Sequence, residues 1–455
     1  MIKNIKKVVQ SYLNTGDSRT KLAKKNIFWS FGLKFLDVVI DLLLVPISLA
    51  YLTQTDYGIW LTINSMVAWL NFTDVGISHG FRNKLAESIS SNNYKLAKTY
   101  TSTAYGIISL ISISLATIGL ILSPFIDWTF VLNTTQEYSG VLNLVILTVI
   151  IGFATKLTLN IVTSIFLAFQ MPVWQNLVNT LSKLLSLLII GLLALFTKGN
   201  LLFYALTISF VPLLILLTFS LVFFKKKYSH IKPSIHFFDY SKISKLMGLG
   251  IKFFIIQLGA TVLFLTDNLI ISHILDPSYV TPYQITHKYF GIALIAFGIV
   301  VKPFWSAVTD AYVNKEFDWI RQATRKLLKI WAGLVFANVI LLVLFYPVLN
   351  IWIGESINVP LLLAIQWFMF VILQSLNMIF TYFLNGTGKI HLQMITGVIT
   401  LVGNIPLSIA FADLLHLGSS GVLLATNCSI LLYVVTRAIQ YKKLINQEAY
   451  GIWNK

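Results

Sequence analysis

Three ionisable side chains interrupt one apolar stretch near the start of the chain, GLKFLDVVIDLLL at residues 32 to 44: Lys34, Asp37 and Asp41. Their spacing is i, i+3 and i+7, which on a helix places them within about 60° of arc. A lysine and a carboxylate three positions apart partly neutralise one another, so one reading is a self-satisfied pair that eases packing. Asp41 is then left over, and a spare carboxylate can hold a proton or a cation. Further along, Lys156, Lys183, Lys252, Lys288 and Lys302 and the acids Asp74 and Asp267 also fall in apolar runs. Six lysines against four carboxylates make any path they line net positive. Such a path suits an anionic substrate, above all a phosphate, which lysine meets as a point charge.

Position sorts these groups. Each costs about 2.5–3.5 kcal/mol at the centre of a membrane helix, so they are expected to face a bundle interior or water. Lys288 and Lys302 lie near the ends of their apolar runs, where snorkelling is open to them. Asp74 precedes Gly76 and can pair locally with Arg82. Lys34, Lys156 and Lys183 lie at least two turns from either end, and Lys252 is intermediate. Lys34, Lys156, Lys183, Lys252 and Lys288 are therefore the candidate substrate contacts. Asp37, Asp41 and Asp267, the last flanked by Thr266 and Asn268, are the candidates for a coupling ion.

The elements that hold them are apolar helices. Of 455 residues, 56% are hydrophobic and 11% charged, and the mean hydropathy is +0.78. Soluble domains carry about 25% charged residues, so this is a membrane protein with several spans. Windows of roughly 20 apolar residues give twelve: about 27–50, 58–78, 100–123, 140–166, 175–196, 201–224, 247–272, 283–307, 327–349, 359–384, 391–412 and 418–437. The first 26 residues are too long and polar for the n-region of a signal peptide, so cleavage after Ser48-Leu49-Ala50 is not expected. One cysteine, Cys428, excludes an intramolecular disulfide.

With the first residues in the cytoplasm, the inner segments hold 27 of the 34 Lys and Arg, and the outer loops hold only Lys198. That asymmetry sets orientation and requires an even number of spans with both ends inside. It also accounts for most of the net charge of +17, which faces the anionic inner leaflet; no nucleic-acid partner is implied. In MIKNIKKVVQSYL, the residues Ile2, Ile5, Val8, Val9 and Tyr12 recur at helical spacing among lysines. The segment reads as lying along the membrane surface, or as a basic tail.

A weak internal repeat orders the spans. Gly32-Leu33-Lys34-Phe35 is echoed by Gly250-Ile251-Lys252-Phe253, Tyr57-Gly58-Ile59 by Tyr283-Gln284-Ile285, Ala86-Glu87-Ser88 by Ala311-Tyr312-Val313, and Ile165-Phe166-Leu167 by Tyr382-Phe383-Leu384. The expected architecture is an all-α integral membrane protein of about twelve transmembrane helices, in two six-helix lobes related by a parallel pseudo-repeat. Such repeats are typical of transporters. Residues 1–26 form a basic cytoplasmic amphipathic segment, 27–224 the N-lobe, 225–246 a cytoplasmic linker, 247–437 the C-lobe and 438–455 a cytoplasmic tail. There is no P-loop, no dinucleotide turn and no HExxH. The seven histidines lack metal-ligand spacing, and no protein cofactor is expected.

Several stretches are similar to the polysaccharide-flippase branch of the MOP superfamily, the Wzx-type O-antigen and capsule repeat-unit flippases. They are YLTQTDYGIW (51–60), LNFTDVGISHGFRNKLAESISSNNYKLAKTY (70–100), TDNLIISHIL (266–275), KPFWSAVTDAYVNKEFDWI (302–320) and LNGTGKIHLQ (384–393). The resemblance implies a MATE-like twelve-helix exporter of the bacterial inner membrane, not an enzyme. Its substrate would be an undecaprenyl-pyrophosphate-linked oligosaccharide, turned from the cytoplasmic to the periplasmic leaflet through a cationic central cavity. It implies coupling to H+ or Na+, contact with membrane lipids, and work beside a polysaccharide polymerase and a chain-length regulator. The main alternative is a MATE-type cation or drug antiporter, which wants a cavity richer in acids. A membrane polymerase or acyltransferase is disfavoured by short outer loops and the lack of paired catalytic residues.

Overall fold

Runs of Leu, Ile, Val and Phe without charge leave the backbone no partner in lipid but itself, so each closes into a helix. The computed structural model describes residues 18–70, 77–226, 228–244, 246, 266–302, 304–355 and 357–454, and among them there is no strand. The helices are α1 (Ser18–Tyr51), α2 (Gln54–Trp69), α3 (Ile77–Ser90), α4 (Tyr94–Leu122), α5 (Trp128–Leu132), α6 (Ser139–Leu159), α7 (Ile161–Ala168), α8 (Pro172–Phe196) and α9 (Leu201–Lys226). Then come α10 (266–274), α11 (Val280–Val301), α12 (Phe304–Val313), α13 (Phe317–Val343), α14 (Phe345–Ile353), α15 (Leu361–Thr387), α16 (His391–Ile409) and α17 (Gly418–Ile445). Local signals set their ends. The Asn93 side chain accepts from the Leu96 amide to start α4, Pro172 opens the first turn of α8, and Gly388 in the left-handed region stops α15. Pro406 lies inside α16, and four residues later the backbone relaxes into a π-turn at Ala410–Leu414.

Among the described residues, nine helical stretches are long and apolar enough to cross a membrane. They match nine of the twelve expected spans. The other three are treated differently by the chain. The last eighteen residues of α1 carry Lys34, Asp37 and Asp41, α2 has only 16 residues, and 247–265 of the seventh span lie outside the described residues.

By packing the chain forms two units. The first takes the chain up to Leu52, Leu70–Asp127 and Ser139–Ile255. Its core joins Phe81, Leu85, Tyr100, Ile165, Phe166, Phe224 and Tyr228. The expected linker belongs to it: the Ser234 amide donates to Ser102 Oγ at 3.0 Å and the Asp239 amide to Thr103 Oγ1 at 3.1 Å. Asp239 in turn accepts from the hydroxyl and amide of Ser241, which hold its carboxyl below the ordinary value.

The second unit takes Thr53–Trp69, Trp128–Tyr138 and Ile256–Lys455. Its core includes Phe297, Val301, Phe304, Val308, Ile320, Ile379 and Phe383. The early helix α2 joins it because Gly58 lets the backbones meet: a Cβ there would sit 1.8 Å from the Pro277 carbonyl oxygen. Hydrogen bonds from Gln54 Nε2 to the Ser278 carbonyl (3.0 Å) and from Thr281 Oγ1 to the Gln54 carbonyl (2.7 Å) reinforce the contact.

Candidate functional site

In the first unit the polar stripe of α1 meets a matching stripe on α8. Asp37 and Asp41, one turn apart, face Thr180 and Lys183, also about one turn apart. Asp37 is buried and accepts from Thr180 Oγ1 at 2.6 Å. Lys183 Nζ donates to Asp41 Oδ2 at 2.6 Å, with side chains 35% and 45% exposed. The possible pairing of Lys34 with Asp37 is not made: four ion pairs occur among the described residues, and this is not one of them. Lys34 instead is exposed. Lys156, on α6, is exposed as well and lies within electrostatic reach of Lys183. Of the candidates described in this unit, three are lysines and two are carboxylates, with Lys183 on Asp41 and Lys156 near Lys183.

In the second unit Asp267 on α10 is buried. Its Oδ2 accepts from Tyr283 Oη at 2.6 Å and from Thr426 Oγ1 at 3.4 Å. Among the described residues its Oδ1 has no hydrogen-bond partner, and neither do Asn404 Oδ1 and Ser408 Oγ on α16. Asn404 is tied to the same group through its amide, which reaches Thr426 Oγ1 at 3.3 Å. Next to Asp267, Asn268 donates to Ser65 Oγ at 2.6 Å and accepts from Gln284 Nε2 at 2.7 Å. Lys288 Nζ donates to Tyr57 Oη at 3.3 Å. Lys252 and Asp74 lie outside the described residues.

One group escapes the span-by-span reading. Arg437 stands at the very end of the twelfth expected span and is counted there among the inner basic residues, yet it lies well within α17 and is 9% exposed. Its Nη1 donates to Asn377 Oδ1 at 2.5 Å and Thr381 Oγ1 at 2.6 Å, and its guanidinium lies 4.5 Å from the centre of the Tyr433 ring. Among the described residues no carboxylate pairs with it and its Nε has no partner. The signal was present: Tyr433, Arg437, Gln440 and Leu444 recur at helical spacing and all are buried.

The chemistry of these groups suits holding charge more than making or breaking bonds. Among the described residues no three His, Cys, Asp or Glu side chains converge on a metal position. Hard, neutral and singly charged oxygens around Asp267 suit a proton or an alkali cation more than a transition metal.

Several known proteins resemble this chain in sequence or fold. A Salmonella typhimurium protein named "Putative O-antigen transporter" is 20% identical over 287 residues, which covers 62% of this chain and 64% of the relative, just under two thirds of its length. Among solved structures, a multidrug resistance MATE family transporter of the MOP superfamily in an inward-facing conformation superposes with a TM-score of 0.77 at 13% identity, over 90% of this chain and 95% of that one. The lipid II flippase MurJ in an inward closed conformation gives 0.70 at 16% identity, over 92% and 87%. At such identities the likeness shows a shared fold. The family model described as "Polysaccharide biosynthesis protein" matches residues 23–303, more than half of the chain, and the chain belongs to that family.

Proposed function

We propose that this multi-pass membrane protein is a flippase. It moves undecaprenyl-pyrophosphate-linked oligosaccharide repeat units from the cytoplasmic to the periplasmic leaflet of the bacterial inner membrane by alternating access, with both chain ends cytoplasmic. The observation that supports it is the surplus of cations in helices otherwise made for lipid. Lys34 and Lys156 are exposed groups without an ion-pair partner among the described residues, beside the one intramembrane pair, Lys183–Asp41. A membrane helix keeps such groups where they meet water or ligand, and the ligand they fit is a pyrophosphate. Lipid tails stay in the bilayer while the headgroup follows the charged path.

Asp267 is the group we assign to the coupling ion, with Asp37 and Asp41 supporting exchange of charge. An unpartnered carboxylate oxygen beside amide and hydroxyl oxygens can take H+ or Na+ and so link its gradient to the turnover of the lobes. A polysaccharide polymerase and a chain-length regulator are the partners that would use the product. The competing reading, a MATE-type cation or drug antiporter, wants more acids than this lysine-rich set provides.

Complementation of a flippase-deficient strain tests the proposal. Lys34→Ala, Lys183→Ala and Asp41→Asn are expected to lose surface polysaccharide at normal expression, and Asp267→Asn to lose dependence on the ion gradient. Full activity from all of them would remove the cationic path. Efflux of cationic dyes without any polysaccharide phenotype would favour the antiporter.

A further inference from the structure

The stretch KPFWSAVTDAY has so far had no role. Its Lys302 caps the end of α11, and Phe304 to Tyr312 make up all but the last residue of α12. Phe304, Val308 and Ala311, at i, i+4 and i+7, are buried in the core of the second unit. Behind them Gly386 of α15 comes so near that a Cβ would sit 2.8 Å from Val308 Cγ1 and 3.0 Å from the Trp305 carbonyl oxygen. That contact fixes the helix. Its other face is open: Lys302, Trp305, Thr309, Asp310 and Val313 line a cavity of about 640 Å³.

The chemistry of that face is specific. Trp305 is 46% exposed and offers an apolar ring face. Asp310 and Lys302 are exposed and take no part in the ion pairs found among the described residues. Among the described residues the one side-chain hydrogen bond of Asp310 is a long one, accepted from Asn314 Nδ2 at 3.4 Å. Thr309 Oγ1 donates to the carbonyl of Trp305 at 3.1 Å and keeps its acceptor positions for a ligand. An aromatic face stacks on the C–H side of a pyranose ring, and a carboxylate accepts from its hydroxyls; the depression they line is shallow and wide open. A tryptophan that only anchors in lipid headgroups needs no carboxylate on the same face.

We propose that the open face of α12 is a carbohydrate subsite. Trp305 stacks on a sugar ring, Asp310 and Thr309 hold its hydroxyls, and Lys302 faces the phosphate that adjoins the sugar. The inference rests on the flippase reading and names where the glycan part of that substrate is held at the inner end of α11.

The test uses the full chain in lipid nanodiscs and two probes: undecaprenyl pyrophosphate, and the same lipid carrying one N-acetylglucosamine. Trp305→Ala and Asp310→Asn are expected to weaken binding of the sugar-bearing lipid by about tenfold and leave the bare lipid unchanged. Trp305→Phe keeps a ring face and most of the affinity, and Lys302→Ala weakens both lipids. All four side chains lie on the open face, and size-exclusion profiles matching wild type confirm folding. Equal losses for both lipids in Trp305→Ala would mark a headgroup anchor and overturn the subsite. So would unchanged binding in every variant while wild type binds both lipids. Wild-type protein that binds neither lipid would instead overturn the flippase reading and the subsite with it.

Discussion

A carboxylate persists in the apolar length of α1 because a lysine on α8 reaches it at 2.6 Å. Both side chains are a third or more exposed, so breaking the pair costs well below the 3–5 kcal/mol of full burial, about 1–2 kcal/mol. Lys183→Met is expected to lower the unfolding free energy by that amount, read as a lower thermal midpoint, and to abolish transport. Lys183→Met combined with Asp41→Leu removes both charges and restores the midpoint, but transport stays lost. Recovery of transport in the double variant would show that the pair serves packing alone. Arg437 poses the opposite case. A buried cation without a carboxylate costs free energy that hydrogen bonds to Asn377 and Thr381 and the Tyr433 ring only partly offset. Arg437→Leu is thus expected to stay within about 1 kcal/mol of wild-type stability, measured by thermal unfolding, while losing polysaccharide export. A large loss of stability with full export per folded molecule would make Arg437 structural. The stripe Lys34–Asp37–Asp41 was legible because its spacing lies within one helix. Its partners were not: Thr180 and Lys183 stand 143 and 142 positions away, and no local pattern encodes that register. Arg437 was missed for a simpler reason: a window of roughly 20 residues ends on it, so it reads as one more basic residue at the inner surface.

At the scale of elements, hydropathy marks the long helices well because lipid-exposed faces must be continuous. The short pieces are set by contact instead. α12 reads as polar from its Thr and Asp, yet its register is fixed by Phe304, Val308 and Ala311 against the core. The segment after α9 shows the same logic. Its basic composition suggested a linker, and the structure lays it along the first turns of α4. There Lys98 Nζ stands 4.3 Å above the Phe237 ring, and a Cβ at Gly106 would meet the Phe238 ring at 2.6 Å. Gly106→Val therefore pushes Phe238 off α4 while the helix itself gains a stiffer residue. The expected outcome is faster protease cleavage within 228–242 of the purified protein, with unchanged helical content by circular dichroism. Cleavage as slow as in wild type would mean that the Ser102 and Thr103 hydrogen bonds suffice without the aromatic contact.

At the scale of the whole molecule, the charge asymmetry of the loops and the packing of the helices answer different questions. In the orientation we propose, inner segments hold 27 Lys and Arg while the outer loops hold Lys198 alone, and that orientation calls for an even number of crossings with both ends inside. Packing does not follow chain order: α2 and residues 128–138 join the second unit through the Gly58–Pro277 approach and a hydrogen bond from Asn133 Nδ2 to the Leu275 carbonyl at 3.1 Å. Those contacts span more than a hundred residues and depend on atoms that meet only after folding, which is why a reading of consecutive halves could not anticipate them. The topology itself is open to a direct measurement. In a Cys428→Ser background, single cysteines at 136 and 198 should react with a membrane-impermeant maleimide in intact spheroplasts. Cysteines at 236, 315 and 447 should react only after permeabilisation. The placement follows from cations held at the anionic inner surface, each lysine or arginine there contributing about 1 kcal/mol. Labelling of 236 or 315 in intact cells, at wild-type expression, would invert the orientation. The inner end of α11, with Lys302 and Trp305, would then face away from the leaflet where the lipid-linked glycan is made, and the carbohydrate subsite would have to act on release rather than on capture.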